Sequence, residues 1–427
     1  MQESENYNTI ESDYDDLKKY YNQELNLNKK LIKTSNDEPT PIECIEDMMK
    51  TIPSKFWKRT ELQILDPCCG CGNFFIVIYN KLKKYHSTHH ILTNMLYFND
   101  TNTDRLKIVN DIFCGDKYDL NITNYDFLKH NDSRGYHLIV ANPPYAHLLP
   151  DGKRASKNHN LIKPFIQTSL RYLHQKGYLL YLTPDNWMSY ADRNLLIKEL
   201  TALNIIHLNI HQAKKYFKKI GSSFTWYLIQ NSKAKKTFTV EGIWKKKIYK
   251  SKVKSEVRSY IPLVYNNMIQ SILHKTLDNT DLEKFKVLTS SDLHKYTKKS
   301  LISKERDNIF CNKLIHTPSQ TVYANRPHKF QEGWKVFIST TTYYSTFVDN
   351  CGMTQSIAFI RCENEEDAIK KAHILSHPLY KFINDICRWG NFNNIRILQS
   401  FPICDDYYII YEKFKITEEE QEYIKNN

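Results

Sequence analysis

Between Leu62 and Leu182 short apolar runs alternate with stretches of helical character, and that alternation leaves few architectures open to the chain. The runs Leu62 to Leu65, Met95 to Phe98, Tyr118 to Tyr125, His137 to Ala141 and Tyr178 to Leu182 read as strands, with one helix starting at Asn73 and another over Leu161 to His174. A helix between two strands carries the chain back to the edge it left, so the strands it joins pair in parallel. The expected fold class is α/β, a doubly wound and mostly parallel sheet. A helix near Asp192 to Ala202 and two further strand-like runs, Ile205 to Ile210 and Ser223 to Gln230, close this region. From residue 231 the chain is lysine-rich and less periodic until helical patterns return at Asn364 to His377 and Pro378 to Cys387, as expected of a mixed α+β second domain.

The 427 residues exceed one modal domain about threefold. The composition shifts divide them into a flexible acidic segment (1–30), an α/β domain (31–232) and a second domain (233–427). With 41% hydrophobic and 13% aromatic residues the chain is globular, which excludes disorder throughout. Its longest apolar run, around Phe74 to Tyr79, is far short of the roughly 20 residues a membrane helix requires. The N-terminus is acidic, so neither a signal peptide nor a membrane anchor is expected. Ten cysteines show no paired framework, and Cys68, Cys69 and Cys71 crowd too closely for a disulfide, which fits a reducing, cytoplasmic setting. Zinc would suit that crowd, but no second Cys/His cluster accompanies it and no metal is expected. Scarce glycine beside abundant Lys, Asn, Ile and Tyr reflects A+T-rich coding, compatible with a bacterial or large-DNA-virus source.

The net charge of +13 is concentrated: residues 211–260 hold thirteen Lys and one Arg against Glu241 and Glu256, a net +12. Phe217, Trp226, Tyr227, Trp244 and Tyr249 interleave these cations. Lysines mixed with flat rings suit a nucleic acid better than a merely solvated face.

The first strand runs into Asp66-Pro67-Cys68-Cys69-Gly70-Cys71-Gly72-Asn73-Phe74, a glycine-punctuated turn leading to a helix. Glycine there permits close approach of a ligand to the backbone. Asp66, Asp100 and Asp126 each follow a strand, and ligands of open α/β sheets collect at that carboxyl edge. Three carboxylates suit a cationic nucleoside ligand and repel a phosphate-rich dinucleotide. The fourth strand ends in Asn142-Pro143-Pro144-Tyr145. Its prolines stiffen the turn, so the Asn142 side chain and the Pro143 carbonyl become fixed acceptors beside the crevice. Such acceptors suit an aromatic exocyclic amine: holding its protons out of plane exposes a lone pair otherwise delocalised into the ring. Tyr145 is placed to stack on that ring.

These motifs resemble those of the gamma-class adenine-N6 DNA methyltransferases of restriction-modification type, which use S-adenosylmethionine. The resemblance covers about residues 30–230: Asp66-Pro67-x-x-Gly70-x-Gly72-x-Phe74 is similar to the first cofactor motif, Asn142-Pro143-Pro144-Tyr145 to the catalytic motif, and Thr40-Pro41-Ile42-Glu43-Cys44-Ile45 to the segment that precedes them in the gamma-class order. It implies a Rossmann-like methyltransferase domain over 31–232 and a target-recognition domain over 233–427. Asn142, Pro143 and Tyr145 would be catalytic, with Asn142 also beside the cofactor. Thr40 would bind the methionine carboxylate, and Asp66, Gly70 and Gly72 would lie against the methionine end. Asp100 would hold the ribose, although Phe98-Asn99-Asp100 departs from the two acids more usual there. Asp126 would accept from the cofactor's adenine, with Phe127 packed on it. Phe217 resembles the second ring stacked on an extruded base, opposite Tyr145; Phe224, at the start of a strand, reads as core.

An adenine inside a duplex is out of reach until it is flipped out. Lys214, Lys215, Lys218 and Lys219 are expected to hold the phosphates, and Arg306, Asn325, Arg326 and Asn391 to Asn394 are candidate base readers. A monomer acting on double-stranded DNA, beside a cognate restriction endonuclease, is the expected setting. An RNA-adenine enzyme, a protein-glutamine methyltransferase and a catalytically silent DNA-binding subunit share parts of this pattern. The intact Asp66, Gly70, Gly72, Asp126 and Asn142 speak against the last.

Overall fold

The computed structural model describes residues 8–28, 31, 38–131, 134–146, 161–191, 196–217, 223–289 and 300–427. They form two compact units, one of residues 1–185 and 198–257 and the other of 186–197 and 258–427.

The first unit is built on a nine-stranded sheet of order β3-β2-β1-β4-β5-β7-β6-β8-β9. Its strands are β1 (Ile64–Asp66), β2 (Leu96–Asn99), β3 (Asn121–Thr123), β4 (Tyr136–Ala141), β5 (Leu173–Pro184), β6 (Leu203–Ile210), β7 (Phe224–Lys233), β8 (Thr237–Trp244) and β9 (Lys247–Lys254). Its helices are α1 (Tyr14–Gln23), α2 (Ile42–Met49), α3 (Asn73–Leu82), the single turn α4 (Thr88–His90), α5 (Thr103–Ile112), α6 (Ile162–Tyr172) and α7 (Leu196–Ala202), which crosses into the other unit. From β1 the chain winds outward through β2 and β3, then returns to lay β4 and β5 on the opposite side of β1, all in parallel. The loops after β1 and β4 therefore diverge and leave a crevice at the carboxyl edge of the sheet. β7 inserts antiparallel between β5 and β6. The helix α3 is buried from Asn73 through Tyr79, and a helix apolar on nearly all sides needs cover on all sides.

The fold corrects two expectations. The N-terminal segment is not wholly a flexible tail: Asp13 caps α1, and Leu17, Tyr21 and Leu25 bury themselves at four-residue intervals. The regular sheet does not stop near residue 232 either. β8 pairs with β6, and β9 with β8, so the basic stretch up to Val257 belongs to the first unit.

The second unit contains the strands β10 (Leu288–Thr289), β11 (Ile302–Ser303), β12 (Asn312–Thr317), β13 (Gln320–Ala324), β14 (Lys335–Ser339), β15 (Thr346–Asp349), β16 (Gly352–Met353) and β17 (Ile357–Arg361). They form two four-stranded sheets, β10-β17-β14-β15 and β11-β13-β12-β16. Phe337, Met353 and Phe359 pack in one core cluster and Leu314 and Val322 in another. The helices are α8 (Asn267–Lys275), α9 (Glu365–Leu375), α10 (Pro378–Ile386), α11 (Ile395–Gln399), α12 (Ile410–Lys413) and α13 (Glu418–Asn426). The two expected C-terminal helices are α9, capped by Asn364, and α10, which opens on Pro378. No helix among the described residues is long and apolar enough to cross a membrane.

Candidate functional site

The turn after β1 is held by acids and backbone together. Gly70 and Gly72 have φ of 55° and 87°, a left-handed backbone that favours glycine, and a Cβ on Gly72 would come within 2.8 Å of the Phe113 ring. Asp100 accepts from Gly70 N at 2.9 Å and from Asn102 N at 2.8 Å, tying the β1 turn to the end of β2. Asn99, completely buried, donates to the carbonyls of Pro67 and Tyr125 and accepts from Thr123 and Tyr125, so it fastens three strand ends together. An amide meets all those needs at once, whereas an acid there could only accept. Asp66 is buried, and that burial pushes its carboxyl far above the usual range although Cys68 N donates to it. A cation brought against it would restore its charge. The neighbouring thiols are also pushed up by burial, Cys71 to about 11, which keeps them protonated at neutral pH.

After β4 the chain enters the proline turn. Tyr145 donates its hydroxyl to Asn142 Oδ1 at 2.6 Å, while Asn142 Nδ2 donates to the Glu38 carbonyl at 3.3 Å. Both ends of the amide are engaged, and this fixes its orientation. Pro143 is buried and Pro144 half-buried.

A cavity of about 320 Å³ lies at the switch point between β1 and β4, at the small end of the usual range for ligand pockets. The structure gathers Thr40, Asp66, Gly70, Asp100, Asp126, Phe127 and Asn142 on its wall. Gly72 sits behind, where it starts α3; Pro143 and Tyr145 belong to the turn beside the cavity rather than to its lining. Asp126 is half-exposed, accepts from Leu128 N and pairs with Lys129 at 3.2 Å. Phe127 is buried against Phe165 and Tyr172.

Sequence reasoning missed the N-terminal share of this site. Leu25, Asn26 and Leu31 line the cavity, Tyr21 donates to the Cys71 carbonyl at 2.6 Å, and Arg105 donates to the Leu31 carbonyl at 2.6 Å. Asn73 donates to both Asn26 Oδ1 and the Thr40 carbonyl, clasping that segment to the start of α3. The spacing of Leu17, Tyr21 and Leu25 was the available signal; the roles of Asn26 and Arg105 had none.

The expected stacking rings form one cluster. Phe217 and Phe224 are both buried, with centroids 4.6 Å apart, and Phe224 lies 6.1 Å from Tyr145 at 48°. Two parallel rings holding a base between them need about 7 Å, two aromatic contacts thick. The Tyr145–Phe224 pair is both too close and too tilted to hold one as it stands. Lys215 is anchored to Asp47 at 3.2 Å, beside Tyr216, which donates to the same carboxyl. Burial pulls the Asp47 carboxyl up, but Lys50, Tyr216 and Lys215 outweigh it and hold it down at about 2. Lys214 follows His211 in the same turn, and Lys218 and Lys219 lie outside the described residues. In the second unit two candidate base readers prove structural: Asn393 is buried and donates to the Ser339 and Thr342 carbonyls, and Asn394 donates to Ser189 Oγ and the Tyr190 carbonyl.

An acid-lined crevice at the switch point beside a stiff Asn-Pro-Pro-Tyr turn defines a class, and comparison with known proteins bears that class out. Residues 48–217, which contain both motifs, match the family model described as Eco57I restriction-modification methylase. The curated Type II methyltransferase M.VspI of Vibrio sp. (strain 343) is 27% identical over 179 residues, which cover 40% of this chain and 42% of that protein. The match thus spans about two-fifths of that relative's length. Among solved structures the fold is similar to that of DrdV, determined as a DNA complex (TM-score 0.56, 11% identity, 94% of this chain and 58% of that one). It is also similar to that of the Type IIL restriction-modification enzyme MmeI, likewise in complex with DNA (TM-score 0.55, 9% identity, 86% and 66%).

Proposed function

We propose that this chain is a site-specific DNA methyltransferase that transfers the methyl group of S-adenosylmethionine to N6 of an adenine extruded from double-stranded DNA. The observation that carries this reading is the double position of Asn142, which is at once a wall of the acid-lined cavity and the first residue of the proline turn. One side chain thereby adjoins the cofactor and the target amine. The methylase domain matched over 48–217 supports the same reaction class.

The donor set fits the cofactor. Asp66 lies buried where a cation would restore its charge, Asp100 beside the glycine turn is placed for ribose hydroxyls, and Asp126 with Phe127 offers an acceptor beside a flat ring. Thr40 and the Gly70 turn close the methionine end. S-adenosylmethionine supplies a methyl group activated by a sulfonium. Asn142 Oδ1 and the Pro143 carbonyl accept the two N6 protons and turn the nitrogen lone pair toward that methyl group. Tyr145 and Phe217 stack on the two faces of the extruded base, and Lys214, Lys218 and Lys219 hold phosphates, while Lys215, expected from the sequence to join them, is held by Asp47. Residues 258–427 act as the target-recognition domain. The protein works as a cytoplasmic monomer beside a cognate restriction endonuclease.

The test is product analysis after incubating duplex DNA with tritiated S-adenosylmethionine, with Asn142→Ala as the inactive control. N6-methyladenine at one sequence is the expected product. N4-methylcytosine, label in RNA alone or methylated glutamine would overturn the assignment.

A further inference from the structure

Methyl transfer needs the Asn142 amide to turn its oxygen, not its nitrogen, toward the target amine, and the two groups that hold the amide do not decide this equally. The Tyr145 hydroxyl meets Oδ1, but a hydroxyl can donate or accept, so alone it would hold either end. The Glu38 carbonyl only accepts, so the end that faces it, at 3.3 Å, has to be Nδ2. A main-chain oxygen from a distant segment therefore sets the sense of the amide, and whatever fixes that oxygen fixes the amide.

Glu38 opens the stretch Glu38-Pro39-Thr40-Pro41, whose last residue precedes α2. Each proline fixes its own φ and restricts the residue before it, so all four residues have little freedom and the stretch moves as a strut. One end is seated by α2: Cys44 N donates to the Pro41 carbonyl at 3.0 Å, and Ile42, Cys44 and Ile45 are buried. The middle is gripped by Asn73, whose Nδ2 donates to the Thr40 carbonyl at 2.9 Å and to Asn26 Oδ1 at 3.0 Å. Both N–H groups of that amide are thus spent, in a side chain only 5% exposed. Asn73 is itself placed by the glycine turn, as the first residue of α3 after the left-handed Gly72. A buried carbonyl stripped of its donor leaves an unmet demand, and a strut freed at Thr40 shifts to meet it. Glu38, Pro39, Thr40, Asn73 and Asn142 all line the same cavity, so the strut that carries Thr40 to the cofactor also carries the carbonyl that orients Asn142.

We propose that Asn73 is a positioning residue for methyl transfer: through the proline strut it fixes the Glu38 carbonyl, which keeps Asn142 Oδ1 turned toward the target amine. The role in transfer rests on the adenine-N6 reading above, whereas the hold on the Asn142 amide is a property of the chain without substrate. A clasp that served folding alone would be indifferent to which way that amide faces.

The test uses the full chain with two variants. Asn73→Ala removes both donors at a helix position that suits alanine, and Pro39→Gly softens the strut while leaving the Asn73 bonds in place. With saturating cofactor, Asn73→Ala should slow single-turnover methyl transfer to duplex DNA about tenfold without changing DNA affinity, and Pro39→Gly should slow it about fivefold. Adding Tyr145→Phe to Asn73→Ala should cost less than about twofold more, because the hydroxyl then has no fixed sense of the amide to hold. The second readout needs no activity: in the cofactor-free chain labelled with ¹⁵N-asparagine, the Asn142 side-chain amide signal, assigned by its loss in Asn142→Ala, should shift in both variants. Should Asn73→Ala fail to fold, Pro39→Gly carries both readouts. An unmoved Asn142 signal, a wild-type rate in either folded variant, or slowing that simply multiplies with that of Tyr145→Phe overturns the inference alone. A wild type that methylates no adenine in DNA overturns the functional reading and the role of Asn73 in transfer with it.

Discussion

Tyr145→Phe separates the ring of Tyr145 from its hydroxyl. The ring is assigned to stacking; the hydroxyl donates to Asn142 Oδ1 at 2.6 Å and holds the amide oxygen in place. Without it the amide keeps the longer 3.3 Å bond to the Glu38 carbonyl and is freer to turn. Turned over, it presents N–H groups to an amine that needs acceptors. A net intramolecular hydrogen bond is worth about 1 kcal/mol. At 1.36 kcal/mol per factor of ten, its loss lowers the competent fraction, and with it the single-turnover rate, about fivefold. Affinity for DNA should not change, because the phenyl ring still stacks, whereas Tyr145→Ala should forfeit a further ~1–3 kcal/mol of base engagement. The assay is rapid-quench methyl transfer with saturating cofactor, paired with 2-aminopurine fluorescence at the target position to follow extrusion. A Tyr145→Phe enzyme at the wild-type rate would refute the positioning argument. A faster one would mean that the hydroxyl competes with the substrate for Oδ1.

The buried Asp66 carboxyl has a folded value raised by desolvation, so the stability it contributes is present below its unfolded value near pH ~3.9 and lost as pH rises through the folded one. Asp66→Asn should therefore raise the neutral-pH melting temperature while weakening binding of the cationic cofactor in calorimetry; a lower melting temperature with intact affinity contradicts this. For the rings, Phe217→Ala should reduce extrusion of 2-aminopurine tenfold or more and, because Phe217 is buried, should also lower the melting temperature, whereas Phe224→Ala should lower the melting temperature without a specific loss of extrusion; the reverse pattern of extrusion transfers the clamp to Phe224. Neutralising Lys214, Lys218 and Lys219 should flatten the salt dependence of DNA binding by roughly 0.9 in log–log slope for each phosphate that no longer meets a lysine, without changing site preference. Lys215→Ala should act mainly by releasing Asp47, and a large fall in salt slope from that single change would show Lys215 to be a phosphate ligand after all.

The parallel sheet, its carboxyl edge and most of the cavity wall were legible in the sequence because they follow from local patterns. A short apolar run marks a strand, and the residue just after it stands at the edge whatever the rest of the chain does, which located Asp66, Asp100, Asp126 and Asn142. The glycine turn needed only the left-handed backbone that Gly70 and Gly72 supply. What depends on contacts across long stretches of chain was not legible. Residues 8–28 read as an acidic tail, yet one apolar stripe docks α1 and brings Leu25 and Asn26 to the cavity. Lysine-rich β8 and β9 looked like the start of a new domain, because strands at the edge of a sheet carry charge to deter further pairing. Asn391 to Asn394 looked like base readers, and only packing shows Asn393 and Asn394 spent on backbone carbonyls. The sequence by itself determined which groups stand at the edge of the sheet, since one strand end suffices to place each. Only the tertiary structure decided which way the Asn142 amide faces, because that depends on the distant Glu38 carbonyl as well as on Tyr145, and that Phe224 comes to lie beside Tyr145, because β7 carries the one and the turn after β4 the other.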